Sequence, residues 1–153
     1  MPSCEATYGA VVDDAIATMA TSSGGGFRDN LPDLYSAIRA KAPNAKVYVL
    51  GYPRFFPLNR KSACATGAPY KFFTGADMQW INSEILKFDH LLASVATAQG
   101  FTFVPMYNAF QGHELCTLHP YLNSVTPTNL QGSFHPNVKG QARFAQVLAR
   151  YLP

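Results

Sequence analysis

The sequence predicts an α/β protein built on a parallel sheet. Two short runs, residues 46–51 and 101–105, are rich in Val, Tyr, Phe and Leu and read as buried strands. A long amphipathic helix pattern separates them, and further helical patterns precede the first run and follow the second. The order helix–strand–helix–strand–helix defines a doubly wound arrangement, with helices on both faces of the sheet. Only two strands are legible, whereas parallel sheets are ordinarily larger, so the chain reads as the second half of such a fold.

Each element has its own signal. Residues 7–20 carry Val11, Val12, Ile16 and Met19 at helical spacing. A Ser/Gly stretch over residues 21–26 breaks that helix, and Leu34, Tyr35 and Ile38 mark a second helix over 31–41. Residues 42–45 form a turn before the first strand. Residues 52–70 make a Pro-rich aromatic loop. Ile81, Ile85, Phe88, Leu92 and Val95 give one apolar face to a helix over 75–99, and Gly100 ends it as a C-terminal cap. Residues 107–132 form a loop long enough to suggest function. Phe144, Ala145, Leu148 and Leu152 face inward from a last helix over 137–152.

Composition narrows the function classes. The 153 residues fit one domain, and 48% hydrophobic against 14% charged residues describes a globular chain. The net charge of +3 is modest and its cations are scattered, with no basic stripe for nucleic acid. No apolar run approaches the ~20 residues needed to span a membrane. The first residues lack the charged and apolar regions of a signal peptide. The 3 cysteines include no C-x-x-C pair, which argues against zinc or a redox site, and the odd count leaves one thiol without an internal partner.

The segment Gly132-Ser133-Phe134-His135-Pro136-Asn137 carries the chemical signal. A histidine just before a helix, at the mouth of an α/β sheet, is placed to act as a general base. The plain structural alternative is a helix-entry histidine ahead of a proline in the first turn. No stretch looks like the serine turn such a base would serve. Ser22 and Ser23 precede Gly24–Gly26, but no buried strand enters that turn, and a flexible loop is the better reading. Ser83 and Ser94 lie within the long helix. His113, Glu114 and His119 miss the helical H-E-x-x-H spacing, and no metal or cofactor is expected. Tyr52, Phe55, Phe56, Tyr70, Phe72 and Phe73 line an acyl groove, form a surface exposed by a missing half, or are core. The residues alone leave these three readings open.

Several stretches, in order, resemble the SGNH (GDSL-type) hydrolases, particularly secreted actinobacterial esterases and lipases. Residues 42–55 resemble that family's fourth strand and following loop, and residues 100–104 its fifth. Gly112-His113-Glu114-Leu115-Cys116 resembles its disulfide-bearing loop. Ser133-Phe134-His135-Pro136-Asn137 with Gly140-Gln141 resembles its final block. The resemblance implies a flavodoxin-like three-layer α/β sandwich with a parallel sheet, of which residues 1–153 form the C-terminal half as one domain. It implies a secreted carboxylester hydrolase acting on acyl esters, with His135 as catalytic base. It also implies a Cys64–Cys116 disulfide, worth roughly 4 kcal/mol in the chain-entropy model. Cys4 would then be unpaired or bonded to another chain.

The departures are as informative. The family's Gly-Asp-Ser block, oxyanion glycine and Gly-x-Asn-Asp block have no counterpart here, so the chain reads as truncated. Many relatives place Asp three residues before the histidine; here that position is Gly132. The carbonyl of Ser133 is then expected to orient the His135 Nδ1 proton, giving a Ser-His dyad whose serine is not recognisable in this chain. Two consequences are expected. Residues 46–51 should leave an open strand edge, and the chain should pair there with a second chain carrying the serine half or with itself. The alternative function is a non-catalytic remnant that self-associates or binds lipid or glycan.

Overall fold

The computed structural model describes residues 2–22, 30–65, 72–125 and 128–153. The Ser23–Gly26 turn and Tyr70 fall outside the described residues, as does the Phe72 side chain.

Helix α1 (Cys4–Ala20) starts where the Ser3 side chain accepts a hydrogen bond from the Ala6 N–H at 3.1 Å, three residues earlier than the apolar pattern predicts. α2 (Leu31–Lys41) has Pro32 in its first turn, with Asp33 there and Arg39 and Lys41 in its last turn matching the helix dipole at both ends. β1 (Tyr48–Leu50) follows. After a long loop, β2 (Cys64–Ala65) and β3 (Phe72–Phe73) form a two-residue antiparallel ladder that the Pro-rich composition concealed.

α3 (Gly75–Ala98) begins with a reciprocal capping box between Thr74 and Asp77. It ends in a Schellman turn: Gly100 adopts φ 67°, the Gly100 N–H donates to the Thr97 carbonyl at 3.0 Å, and the Phe101 N–H to the Ala96 carbonyl at 2.8 Å. β4 (Thr102–Val104) leads directly out of this turn. α4 (Val138–Leu148) closes the described chain and stops four residues short of the predicted end.

β1 and β4 pair in parallel, with Tyr48 opposite Thr102 and Leu50 opposite Val104. Alternation sorts their side chains between two cores. Val47, Val49 and Phe103 face Tyr35, Val95, Ala96 and Phe101, which come from α2, α3 and the turn after it. Tyr48, Leu50 and Val104 face Val147, Phe144 and Leu148 of α4. The result is a three-layer α/β/α arrangement, the architecture read from the sequence. A third cluster (Phe56, Cys64, Met78, Phe110, Leu115 and Leu122) lies under the loops that leave the strands.

The long connections are tied down by side chains from elements far away in sequence. Arg39 donates to the carbonyls of Gln99 and Gly100 at the end of α3 and stacks 4.7 Å over the Phe101 ring. Asn82 of α3 accepts from the N–H groups of Phe55 (3.0 Å) and Phe56 (3.1 Å) and donates to the Phe56 carbonyl (2.8 Å). One buried amide thus satisfies three backbone groups of the loop after β1.

β4 is the only strand paired with β1 among the described residues. In a parallel ladder alternate residues face opposite edges, so the backbone groups of Tyr48 and Leu50 point away from β4.

Candidate active site

The segment after β4 returns to meet the His135 turn as a short antiparallel pair. The Asn123 N–H donates to the His135 carbonyl at 2.9 Å, and the Phe134 N–H donates to the Asn123 carbonyl at 3.0 Å. The Asn123 side chain donates to the Gly132 carbonyl at 3.1 Å. Leu122 bridges to Pro136, and the Asn137 N–H reaches the Tyr121 carbonyl at 2.9 Å. Asn137 then caps α4, accepting from Lys139 and Gly140 at 3.0 and 3.1 Å and donating to the Pro120 carbonyl at 2.9 Å. Gly140 permits this approach, because a Cβ there would overlap the Tyr121 carbonyl oxygen.

The imidazole of His135 projects from this fixed backbone into solvent. Neither ring nitrogen makes a hydrogen bond among the described residues, so the expected contact between Nδ1 and the Ser133 carbonyl is not formed here. The Ser133 hydroxyl points back toward the Asn129 carbonyl at 3.5 Å. Preceding the histidine, Phe134 holds φ 62°, in the left-handed region that costs a bulky residue about 1–3 kcal/mol. Its ring stacks on Phe55 (centroids 6.0 Å apart) and meets Phe73 edge-on at 6.4 Å. Phe55 lies just beyond β1, so these contacts set the histidine turn at the carboxyl end of the strands, where open α/β sheets hold their sites.

The expected groove residues occupy different environments. Tyr52 is 50% exposed and packs on Phe88 at 5.6 Å. Phe55 is half-buried under Phe134. Phe56, at 1% exposure, belongs to the core, because its ring is enclosed by Phe73 and the loop cluster; it lines no surface groove.

Cys64 and Cys116 form a disulfide with Cα atoms 6.0 Å apart, joining the loop after β1 to the loop after β4. A buried ion pair joins the same loops. Arg54 donates from Nε (2.9 Å) and Nη2 (2.7 Å) to Glu114 Oε1, while Glu114 Oε2 accepts from the Gly112 N–H at 2.8 Å. The Asn108 side-chain oxygen accepts from Arg54 Nη1. Glu114 is 2% exposed and Arg54 4%, so each charge depends on its partner. His113, beside Glu114 in sequence, is engaged elsewhere: it stacks flat on Tyr121 at 4.0 Å, with Nδ1 2.9 Å from the His119 carbonyl.

Asp89, buried on α3, accepts from the Tyr52 N–H at 2.7 Å and so fixes the chain as it leaves β1. A Cβ on Gly51 would stand 2.7 Å from its Oδ2, so only glycine lets the carboxylate approach. Burial pushes the Asp89 carboxyl up to about 6, against the lowering effects of the Tyr52 N–H and of nearby His90. Asn82, Asp89 and Asn123 carry no motif; nothing in the sequence marks them, because they act on backbone groups remote in the chain.

Fold and site together define a three-layer α/β domain with a histidine presented at the carboxyl end of its strands. The chain belongs to the GDSL-like lipase/acylhydrolase family, whose sequence profile matches residues 6–143. It is similar to Lipase 1 of Streptomyces coelicolor, with 41% identity over 112 residues, covering 73% of this chain and 39% of that protein. A lipase of Streptomyces rimosus is 38% identical over 113 residues and is likewise covered over 39% of its length. The chain thus spans about two fifths of these curated relatives. Among solved structures, a phospholipase A1 from Streptomyces albidoflavus NA297 superposes with TM-score 0.76 at 34% identity, over 95% of this chain and 58% of that one. An extracellular lipase from Streptomyces rimosus gives TM-score 0.69 at 31% identity, over 93% of this chain and 64% of that one.

Proposed function

We propose that residues 1–153 form the histidine-bearing part of a secreted carboxylester hydrolase, an esterase or lipase working through a Ser-His dyad. The observation that carries this reading is His135: an exposed imidazole on a backbone fixed from both sides, at the carboxyl end of the strands. Its nucleophile is a serine supplied by polypeptide outside these residues. The His135 Nε2 takes the proton as the serine oxygen attacks the ester carbonyl, then returns it to the departing alcohol. Water hydrolyses the acyl-serine by the same proton path, releasing the carboxylic acid. The Ser133 carbonyl orients Nδ1–H once the serine half is docked, and Tyr52 and Phe55 flank the acyl chain. The Cys64–Cys116 disulfide and the similarity to an extracellular lipase support secretion.

A serine-reactive fluorophosphonate probe tests this on the protein isolated at its natural length, with p-nitrophenyl butyrate as substrate. The reading expects turnover and a label on a serine outside residues 1–153. A label within these residues would refute the placement of the nucleophile. No label and no turnover would refute the hydrolase.

The β1 edge that has no strand partner among the described residues supports a second reading, in which the chain is a non-catalytic remnant that self-associates along Tyr48 and Leu50. Light scattering on the isolated 153-residue chain separates the two partners. A homo-oligomer supports the remnant, whereas a complex formed only with a serine-bearing half supports the hydrolase.

A further inference from the structure

We propose that Phe134 is a positioning residue: its ring, gripped by Phe55 and Phe73, holds the left-handed turn that aims His135. The inference rests on the reading of His135 as general base.

The turn places its positive φ on the residue least suited to it. Gly132 lies two positions earlier and would adopt a left-handed conformation freely, yet the conformation falls on Phe134, with φ 62°. A bulky residue persists there only when its surroundings over-determine it. The surroundings do so through the ring. Phe55, stacked on Phe134 at 6.0 Å, is itself anchored: its N–H donates to Asn82 and its carbonyl accepts from the Leu115 N–H at 2.8 Å. Phe73 meets the other side of the ring and sits opposite Cys64 in the β2–β3 ladder, next to the disulfide. The side chain thus ties the turn to the loop after β1, while the Asn123 peptide brackets the backbone of Phe134 and His135. Because φ of residue 134 sets the direction in which His135 leaves the turn, releasing the ring redirects the imidazole without disturbing the strands.

The test compares Phe134→Gly, Phe134→Tyr and Phe55→Leu with wild type in the natural-length protein. Glycine tolerates the backbone angle but supplies no ring; tyrosine keeps the ring; leucine at 55 removes the stack from the other side, should the glycine variant misfold. The readout independent of catalysis is amide hydrogen exchange at Asn123 and at position 134. Phe134→Gly and Phe55→Leu should raise exchange at these two amides on the order of tenfold while α3 amides stay protected. Both should lower kcat, Phe134→Gly should leave KM unchanged, and Phe134→Tyr should match wild type in both measures. Unchanged exchange at Asn123 and 134, or an equal rise across α3, would overturn the proposal whatever the kinetics. His135→Ala is run alongside: if it still turns over substrate, the general-base reading fails, and with it any role of Phe134 in catalysis.

Discussion

The two sides of the sheet are held together by different means. At the carboxyl end, the loops are fixed by buried polar groups with specific partners: Asn82 on Phe55 and Phe56, Asp89 on Tyr52, Arg54 on Glu114, and Asn123 on Gly132. α1, by contrast, has no buried residue. Its polar ties to α3 include the Cys4 N–H to Asp77 (2.7 Å) and Lys87 to Asp13 (3.2 Å). Its apolar Tyr8 and Val11 face solvent, Val11 being 69% exposed. The β1 edge similarly lacks a strand partner among the described residues. The histidine end is therefore organised by buried polar contacts, whereas α1 buries no residue and β1 pairs along one edge only among the described residues.

The largest effect that would break this comparison is expected at the buried ion pair. Arg54→Met leaves the Glu114 carboxylate uncompensated and should cost about 3–5 kcal/mol in urea unfolding. A loss below 1 kcal/mol, on the order of an exposed pair, would mean that the loops are not clamped there.

Asp89 gives a smaller, pH-dependent effect. Its carboxyl titrates near 6 in the folded chain against an ordinary 3.8, so the folded state holds the extra proton between those values. Stability should fall as pH rises from 3.8 to about 6, then stay flat with respect to this group. Asp89→Asn keeps an oxygen for the Tyr52 N–H and carries no charge. Its unfolding free energy should match wild type below pH 4 and exceed it by about 1–3 kcal/mol above pH 6. A constant offset across this range would remove Asp89 as the source.

The smallest effect sharpens the other half of the comparison. Val11→Ser should change the stability of the 153-residue chain by less than about 0.5 kcal/mol. A larger loss that depends on protein concentration would show that another body already covers α1.

What was legible in the sequence follows the range of the forces involved. α3 could be read because its apolar face repeats within the helix and Gly100 punctuates its end. Both parallel strands could be read as compact β-branched and aromatic runs. The β2–β3 ladder could not, because two residue pairs inside a Pro-rich loop carry no periodicity. His135 stood out through its His-Pro-Asn context and through resemblance. Glu114 shows in the sequence only within a metal-like pattern of the wrong spacing and the disulfide-loop resemblance, since its partner Arg54 lies 60 residues away. Phe55 and Phe56 are neighbours with opposite fates, one half-buried under Phe134 and one in the core. That distinction comes from packing, which composition does not encode.

His135 is proposed above as the proton-transferring base of an ester hydrolase. The most direct measurement is kcat for p-nitrophenyl butyrate in the natural-length protein and its His135→Ala variant, with thermal unfolding as a control. Because the imidazole is exposed, the variant should unfold at the wild-type temperature. Its kcat should fall by about 10²–10⁴-fold, the range for a lost general base. Turnover equal to wild type in a folded variant would contradict the account.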